Sequence, residues 1–242
     1  YYGDEFALTA DTDGTVTYTV TGADFDAATS SVRITKPGKV TVTATSSKPG
    51  FADKTAERTF TAYKKAISVK VSAIDKIYDG ATDVSFGAPV FTGTVSGDSV
   101  TADITGKMLN SDAGENKIVY ADVSLSGNWG DYYTLDADSV QTTVNVAKAK
   151  ITGIKITAAD KAYDGTRDAN AKVTAIYGVL PIDEGAVKVT GTAAFDNVNA
   201  GTRTVFFDAE EITGAKGANY EFESGTAKIA TYIAQINKLK VK

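Results

Sequence analysis

The stretch Asp75-Lys76-Ile77-Tyr78-Asp79-Gly80-Ala81-Thr82-Asp83 occurs a second time as Asp160-Lys161-Ala162-Tyr163-Asp164-Gly165-Thr166-Arg167-Asp168. The copies begin 85 residues apart (160 minus 75). In each copy the Asp-Gly dipeptide predicts a turn, because Gly adopts the positive φ that such turns require. A repeat at this spacing is typical of a modular array. The repeat therefore predicts tandem modules and does not by itself indicate a ligand.

The similarity between the two copies continues beyond the opening stretch. Residues 110–114 (Asn-Ser-Asp-Ala-Gly) correspond to residues 197–201 (Asn-Val-Asn-Ala-Gly), now 87 residues apart (197 minus 110). The change from 85 to 87 indicates a small insertion in the second copy, and the loop at residues 181–185 is the expected place for it. A later element, Gly, five residues and Tyr, spans Gly127 to Tyr133 and Gly214 to Tyr220.

The fold class follows from period-two alternation. Val16, Tyr18 and Val20 alternate with threonines, and similar Val- and Ile-rich runs recur to the end of the chain. This pattern predicts strands with one buried and one exposed face, and no run has useful helical periodicity. We therefore predict an all-β protein of three tandem immunoglobulin-like β-sandwich modules in an extended array. A β-grasp-like fold is the alternative for the second and third modules.

The predicted modules comprise residues 1–63, 64–148 and 149–242. The boundaries fall in two similar stretches, residues 62–67 and 146–151, each with paired lysines and no Gly, Pro or Ser. A flexible linker would be rich in Gly and Ser, so we expect one module to continue directly into the next. The opening Tyr1-Tyr2-Gly3 follows no leading strand, and we expect the chain to be a segment of a longer protein.

Residues 1–63 resemble the bacterial immunoglobulin-like repeats of surface proteins, through residues 37–44 (Pro-Gly-Lys-Val-Thr-Val-Thr-Ala) and the opening Tyr2-Gly3-Asp4. Residues 64–242 resemble the YDG repeat family of bacterial surface proteins, through the Tyr-Asp-Gly tripeptides with their preceding lysines and the Gly-to-Tyr element. That family usually has Asn before the last Tyr. Asn219 keeps this residue and Tyr132 departs from it. The resemblance implies long, repetitive cell-surface proteins and no known reaction.

Composition argues against several classes of function. The chain has no Cys and no His, so thiol nucleophiles, disulfides and the usual neutral-pH general base are all absent. The net charge of −5 disfavours nucleic acids and anionic membranes as partners. No apolar run approaches the roughly 18 residues of a membrane span. We predict no enzymatic activity, no catalytic residue and no cofactor.

The candidate functional residues have competing interpretations. Tyr78, Asp79, Gly80 and their counterparts Tyr163, Asp164 and Gly165 are expected to be structural, with each Tyr anchoring its turn on the core. Trp129 and Tyr132 are the candidate ligand-contact residues, since aromatic side chains on a loop can stack on a sugar ring. The competing interpretation is that Trp129 covers a module junction. Residues 11–14 (Asp-Thr-Asp-Gly) resemble the start of a calcium loop but lack the later ligands, so no metal site is predicted.

The sequence thus predicts a non-catalytic spacer or stalk segment of a secreted or cell-surface bacterial protein, projecting a functional domain from the cell. The alternative is an adhesin-type module that recognises a glycan or a host protein. We expect the partners to be the neighbouring repeat modules of the same chain, and we expect the segment to be a monomer. The expected location is extracellular, at the cell surface or cell wall.

Overall fold

The computed structural model describes residues 1–240, and the last two residues of the predicted third module lie outside the described part. Almost all regular structure consists of strands, which confirms the all-β prediction. The four-residue α1 (Trp129–Tyr132) and 3-10 turns at Pro181–Asp183, Gly217–Asn219 and Gly225–Lys228 are the helical segments among the described residues. None of the helices described is long and apolar enough to cross a membrane.

The chain divides into two compact units. Unit 1 comprises Tyr1–Ala73, Ser85–Gly106 and Tyr120–Thr142, and unit 2 comprises Ile74–Val84, Lys107–Val119 and the chain from Thr143 onward. The boundaries predicted at residues 63 and 148 fall between strands, and the division into three modules stays a prediction.

The first 63 residues form two three-stranded sheets, ordered β1-β4-β3 and β2-β5-β6. Val32 of β4 and Val40 of β5 belong to one buried cluster, so the two sheets share a core in the manner of a sandwich. Val16, Tyr18 and Val20 lie on the less exposed face of β2 while its threonines face solvent, as the alternation predicts. The strands are β1 (Glu5–Ala7), β2 (Thr15–Thr21), β3 (Asp24–Asp26), β4 (Ser31–Arg33), β5 (Gly38–Ser47) and β6 (Lys54–Ala62).

The first repeat copy has a four-stranded sheet ordered β10-β11-β13-β8 and a three-stranded sheet ordered β12-β7-β9. Val71, Ala121 and Val123 are buried at its centre, with Phe86 and Ile104 packed against them. The strands are β7 (Lys65–Lys70), β8 (Lys76–Ile77), β9 (Val90–Thr92), β10 (Ala102–Met108), β11 (Gly114–Leu125), β12 (Tyr133–Leu135) and β13 (Ser139–Ala147).

The second copy repeats this topology, with two strands, β14 and β15, in the place of β7. Its four-stranded sheet is ordered β16-β21-β19-β18, and the pairs β14-β20 and β15-β17 correspond to β7-β12 and β7-β9. The strands are β14 (Ala149–Ile151), β15 (Gly153–Ala158), β16 (Lys161–Ala162), β17 (Ala171–Tyr177), β18 (Lys188–Phe195), β19 (Gly201–Thr213), β20 (Tyr220–Phe222) and β21 (Ile229–Asn237).

Both copies contain parallel pairs, which sequence alternation does not predict. β7 pairs in parallel with β12, and β14 pairs in the same way with β20. The two-residue strand that opens each repeated stretch, β8 or β16, pairs in parallel with the last long strand, β13 or β21. This short pairing fixes the Tyr-Asp-Gly turn at one end of its sheet.

Candidate functional site

The repeated turns are held by their own acidic and basic side chains. In the first copy Asp79 Oδ1 accepts a hydrogen bond from the Ala81 N–H at 2.9 Å and pairs with Lys76 Nζ at 2.8 Å. Gly80 has φ +78°, a conformation that favours Gly. The Tyr78 N–H donates to the Ala147 carbonyl at 2.8 Å, which ties the turn to the end of β13. The Asp79 carboxylate therefore stabilises the turn itself.

The second copy has the same geometry. Asp164 Oδ1 lies 2.9 Å from Lys161 Nζ and accepts the Thr166 N–H at 2.9 Å. The Lys161 hydrogen bond, with the bonds from Thr166, lowers the pKa of Asp164 from 3.8 to about 2. Gly165 has φ +76°, and the Tyr163 N–H donates to the Asn237 carbonyl at 2.9 Å.

The first residue of each repeated stretch, Asp75 or Asp160, binds the last long strand of its copy, β13 or β21. The Asp75 carboxylate accepts the Asn145 backbone N–H at 2.8 Å and the Asn145 side-chain amide at 3.0 Å. Asp160 Oδ1 accepts the Gln235 backbone N–H at 2.7 Å. The bonds from Asn145 lower the pKa of Asp75. Sequence reasoning missed this role, although the Asp that both copies share at their first position was an available signal.

The side chain of Tyr78 leaves its own turn and reaches the second copy, within unit 2. Its hydroxyl donates to Asp183 Oδ2 at 2.9 Å, and the Tyr220 hydroxyl donates to the same oxygen at 2.7 Å. The Leu180 N–H donates to the Tyr220 oxygen at 3.1 Å. Tyr78 and Asp183 are each only 3% exposed. We call this set (Tyr78, Asp183, Tyr220 and the Leu180 N–H) the second junction.

The phenols of the second junction are held in their protonated form. Burial is the main cause and the bond to Asp183 the next, and together they raise the pKa of Tyr220 from 10.0 to about 12. The same two causes raise the pKa of Tyr78. The two rings meet edge to face, with centroids 5.6 Å apart and an interplanar angle of 78°. A protonated phenol is the form that can donate to a carboxylate.

An equivalent set, the first junction, lies within unit 1. The Tyr2 hydroxyl donates to Asp98 Oδ2 at 2.9 Å, the Tyr133 hydroxyl donates to the same oxygen, and the Val95 N–H donates to the Tyr133 oxygen at 2.9 Å. The Tyr2 and Tyr133 rings are 5.3 Å apart at 85°. Burial raises the pKa of Tyr133. Tyr2 of the opening Tyr-Gly-Asp thus occupies the place that Tyr78 takes in the second junction.

The repeat spacing relates the two junctions. Asp98 and Asp183 are 85 residues apart (183 minus 98), whereas Tyr133 and Tyr220 are 87 apart (220 minus 133). The two additional residues therefore follow Asp183, at the end of the loop where the sequence places the insertion. Sequence reasoning did not single out either aspartate, although the unchanged 85-residue spacing was available as a signal.

Comparison with known protein families identifies the two copies. A family model described as the YDG domain matches residues 63–143 and again residues 146–227. The chain belongs to the YDG domain family. The resemblance drawn from the tripeptides is thereby confirmed for both copies. The immunoglobulin-like assignment of residues 1–63 stays a prediction.

Other comparisons add no functional information. No curated protein matches the chain. Among solved structures, a Drosophila N-cadherin EC1-3 fragment is 9% identical, with 99% of this chain and 94% of that chain covered and a TM-score of 0.23. Extracellular cadherin domains 1–4 of protocadherin Gamma B7 are 9% identical, with 93% and 67% covered and a TM-score of 0.29. Similarity this low carries no argument about the YDG modules.

A second group of contacts lies beside each junction, and its residues differ between the two YDG modules. In unit 2, the Asn219 side chain accepts the Ala113 N–H at 2.9 Å and donates to Asp112 Oδ1 at 3.0 Å. Lys216 Nζ lies 3.0 Å from the same Asp112 oxygen. Hydrogen bonds from Asn219 and then Lys216 lower the pKa of Asp112. The Asn typical of the family therefore binds the loop of the preceding YDG module.

The predicted ligand-contact residues occupy the corresponding positions in unit 1. Tyr132, the counterpart of Asn219, has its ring 5.1 Å from that of Tyr2. Trp129, the counterpart of Lys216, is 6.3 Å from Tyr132 and 6.0 Å from Tyr133. The structure thus brings Trp129 and Tyr132 together, partly exposed, in one aromatic cluster with the first junction. Their proposed contact with a ligand stays a prediction.

The acidic loops of residues 1–240 contact lysines and turns rather than one another. Asp13 pairs with Lys48, and the Thr12 hydroxyl is bonded to Ser46 at 2.7 Å. Asp83 pairs with Lys107 at 3.2 Å. Within residues 1–240, no group of three acidic side chains is placed to hold a metal ion. These carboxylates act as partners for lysines and turns in the described part of the chain.

Proposed function

We propose that this chain is a non-catalytic spacer segment of an extracellular, surface-attached bacterial protein, and that its modules serve as one another's partners. The observation that carries the proposal is the second junction, in which Tyr78 is buried against Asp183 and Tyr220. A side chain that occupies the neighbouring module restricts how the two can reorient. A spacer requires this property if it is to hold another domain away from a surface.

The energetics of the junction support a structural role. A carboxylate that is 3% exposed is costly to bury unless its lone pairs are satisfied. The two phenols donate hydrogen bonds to one of its oxygens, Asp183 Oδ2, and so offset part of that cost. Hydrogen bonds to charged groups contribute about 1.5–3 kcal/mol each. Separating the two modules would leave the Asp183 carboxylate without its hydrogen-bond donors, so the state in which they are in contact is favoured.

The distribution of reactive groups supports a role without catalysis. The chain offers neither a thiol nucleophile nor the imidazole that most often serves as a general acid or base. Asp79 and Asp164 stabilise their own turns, and Asp112 pairs with Lys216. Extracellular placement is supported by the resemblance to bacterial surface proteins and by a sequence free of cysteine.

Distance measurements within unit 2 test the proposal. Because the chain has no cysteine, the exposed residues Glu115 and Glu210 can be changed to Cys and labelled with a fluorophore pair without side reactions. We expect a single narrow distance distribution in single-molecule energy transfer. The double variant Tyr78→Phe, Asn219→Ala should broaden it. A distribution that is already broad in the parent chain would contradict a restrained spacer.

The adhesin alternative is tested separately with a glycan and host-protein binding panel. A spacer is expected to give no signal that depends on Trp129. A signal that disappears in the variants Trp129→Ala and Tyr132→Ala, while Tyr177→Ala retains it, would establish the adhesin-type function. Tyr177 is a suitable control because it is an exposed tyrosine, 52% accessible, outside both junctions.

A further inference from the structure

The second YDG module carries a tyrosine equivalent to Tyr2 and Tyr78 whose ring is much more exposed. Tyr163 is 39% exposed, against 3% for Tyr78. Among residues 1–240 its hydroxyl makes no hydrogen bond, although its backbone N–H is bonded to the end of the last strand just as that of Tyr78 is. The turn around Tyr163 is therefore complete while its side chain remains accessible.

The glycines that follow Tyr78, Tyr163 and Tyr2 show the same difference in exposure. A Cβ built on Gly80 would lie 3.3 Å from Cγ2 of Ile182, so Gly80 packs closely against the neighbouring module. A Cβ built on Gly165 would meet nothing within 4 Å. Gly3, next to Tyr2 in the first junction, is also crowded, with Val95 Cγ2 at 2.3 Å from the built Cβ. Two of the three turns are covered and the third is open.

The second YDG module also has a loop equivalent to the one that binds Asn219 in the first YDG module. In the first YDG module, the loop that binds Asn219 is shaped by the Asp112 N–H, which donates to Asn110 Oδ1 at 3.2 Å. Its counterpart has the Asn199 N–H donating to Asn197 Oδ1 at 2.9 Å. Asn199, which replaces Asp112, is exposed. We call Tyr163, Gly165 and Asn199 the open face.

We propose that the open face docks a further YDG-type module, which receives the Tyr163 ring. The partner must present a buried carboxylate bonded to a tyrosine hydroxyl, with aliphatic side chains where Leu180 and Ile182 lie in the second junction. Because Asn199 is neutral, the partner does not need a lysine at the position of Lys216. Both such sites in this chain are filled by Tyr2 and Tyr78, so a second copy of the chain is not the expected occupant.

The inference goes beyond the spacer role and can fail independently of it. It is tested in an extended chain made of residues 1–238 followed directly by a second copy of residues 149–242. This fusion point preserves the register, because the Ala147 and Asn237 carbonyls accept the equivalent tyrosine N–H groups and each is followed by a lysine. The appended copy carries Tyr163→Phe, so that a digest contains one Tyr163 peptide.

The measurement is the rate of tyrosine nitration by tetranitromethane, followed for each peptide by mass spectrometry. In the original chain Tyr163 should react quickly and Tyr78 slowly. In the extended chain we expect the Tyr163 rate to fall at least about tenfold, towards that of Tyr78, because a buried ring reacts only after local opening. Changing Asp183→Asn or Tyr220→Phe in the appended copy should restore fast nitration, and the Tyr78 rate in the same digest serves as the internal standard.

Two results would overturn the inference. One is an unchanged Tyr163 rate in an extended chain whose unfolding enthalpy shows that the appended copy is folded. The other is a concentration-dependent dimer of the original chain in sedimentation that disappears with Tyr163→Ala, since the occupant would then be a second copy of this chain.

Discussion

In the second junction, one carboxylate oxygen of Asp183 accepts hydrogen bonds from the hydroxyls of both Tyr78 and Tyr220. The contribution of each hydrogen bond can therefore be measured by changing one tyrosine to Phe. The variant Tyr78→Phe keeps the ring and leaves the buried carboxylate with one donor fewer. We expect the free energy of unfolding to fall by about 1.5–3 kcal/mol. Urea denaturation of parent and variant measures the difference.

The matched control is Tyr163→Phe, the same change at the equivalent residue of the second YDG module. Because the Tyr163 hydroxyl makes no hydrogen bond within the described residues, the loss should stay within about 0.5 kcal/mol. Equal losses for the two variants would show that the Tyr78 hydroxyl adds nothing to stability through Asp183.

The raised pKa of Tyr220 predicts a loss of stability in alkali. Its pKa is about 12 in the folded chain and near 10.0 when unfolded. The unfolded state therefore releases its proton first, so the stabilisation is complete below pH 10 and is lost as the pH rises to about 12. The loss amounts to about 2–3 kcal/mol at most.

Denaturation of the parent chain and of Tyr220→Phe across this range provides the measurement. The stability difference between them should narrow from pH 10 towards pH 12. The control Tyr177→Phe, at an exposed position outside both junctions, corrects for the general effect of alkali. A difference that stays constant with pH would contradict the assigned role of the Tyr220 proton.

At the level of secondary-structure elements, the Asn219 contact explains why Tyr132 departs from the family pattern. Asn219 binds Asp112 and Ala113 of the preceding YDG module, whereas Tyr132 faces Tyr2, which lies outside the residues that the YDG model matches. The residue before the last Tyr of each YDG module, Tyr132 or Asn219, is therefore complementary to the part of the chain that precedes that module. This interpretation predicts opposite preferences at the two positions.

The variant Asn219→Ala should cost about 1–3 kcal/mol, because it leaves the Ala113 N–H without its partner. Tyr132→Asn, which installs the residue typical of the family, should also destabilise, by about 0.5–1.5 kcal/mol, because it removes an aromatic contact. Thermal denaturation of the two variants tests both. A stabilising effect of Tyr132→Asn would show that the position is not matched to the preceding module.

The strands were predictable because alternation is local, as Val16, Tyr18 and Val20 of β2 show. The turns were predictable because Asp-Gly encodes them. Strand partners depend on residues far apart in sequence, so the parallel pairing of β7 with β12 was not predicted. For the same reason Tyr78 was expected on the core beneath its own turn, whereas the structure places its ring against Asp183, 105 positions away. Repeat spacing identifies equivalent residues but not the module that each one contacts.

At the level of the whole molecule, the acidic residues are numerous but dispersed. The chain has 30 Asp and Glu against 25 Lys and Arg, and pairs such as Asp83 with Lys107 and Asp112 with Lys216 are distributed over its surface. A structural calcium ion requires about six to eight oxygens in one place. No cluster of three candidate ligands occurs in the part of the chain that the structure describes.

We therefore expect calcium and a chelator to leave the melting temperature unchanged to within about 1 °C, since only a ligand that binds the folded state stabilises it by mass action. Magnesium at the same ionic strength is the control, because it screens exposed ion pairs as calcium does. A melting temperature that rises with calcium, saturates, and does not respond to magnesium would reveal a specific site. Stability would then depend on an ion as well as on the tyrosine–aspartate contacts, and the two contributions could be separated by repeating the titration with Tyr78→Phe.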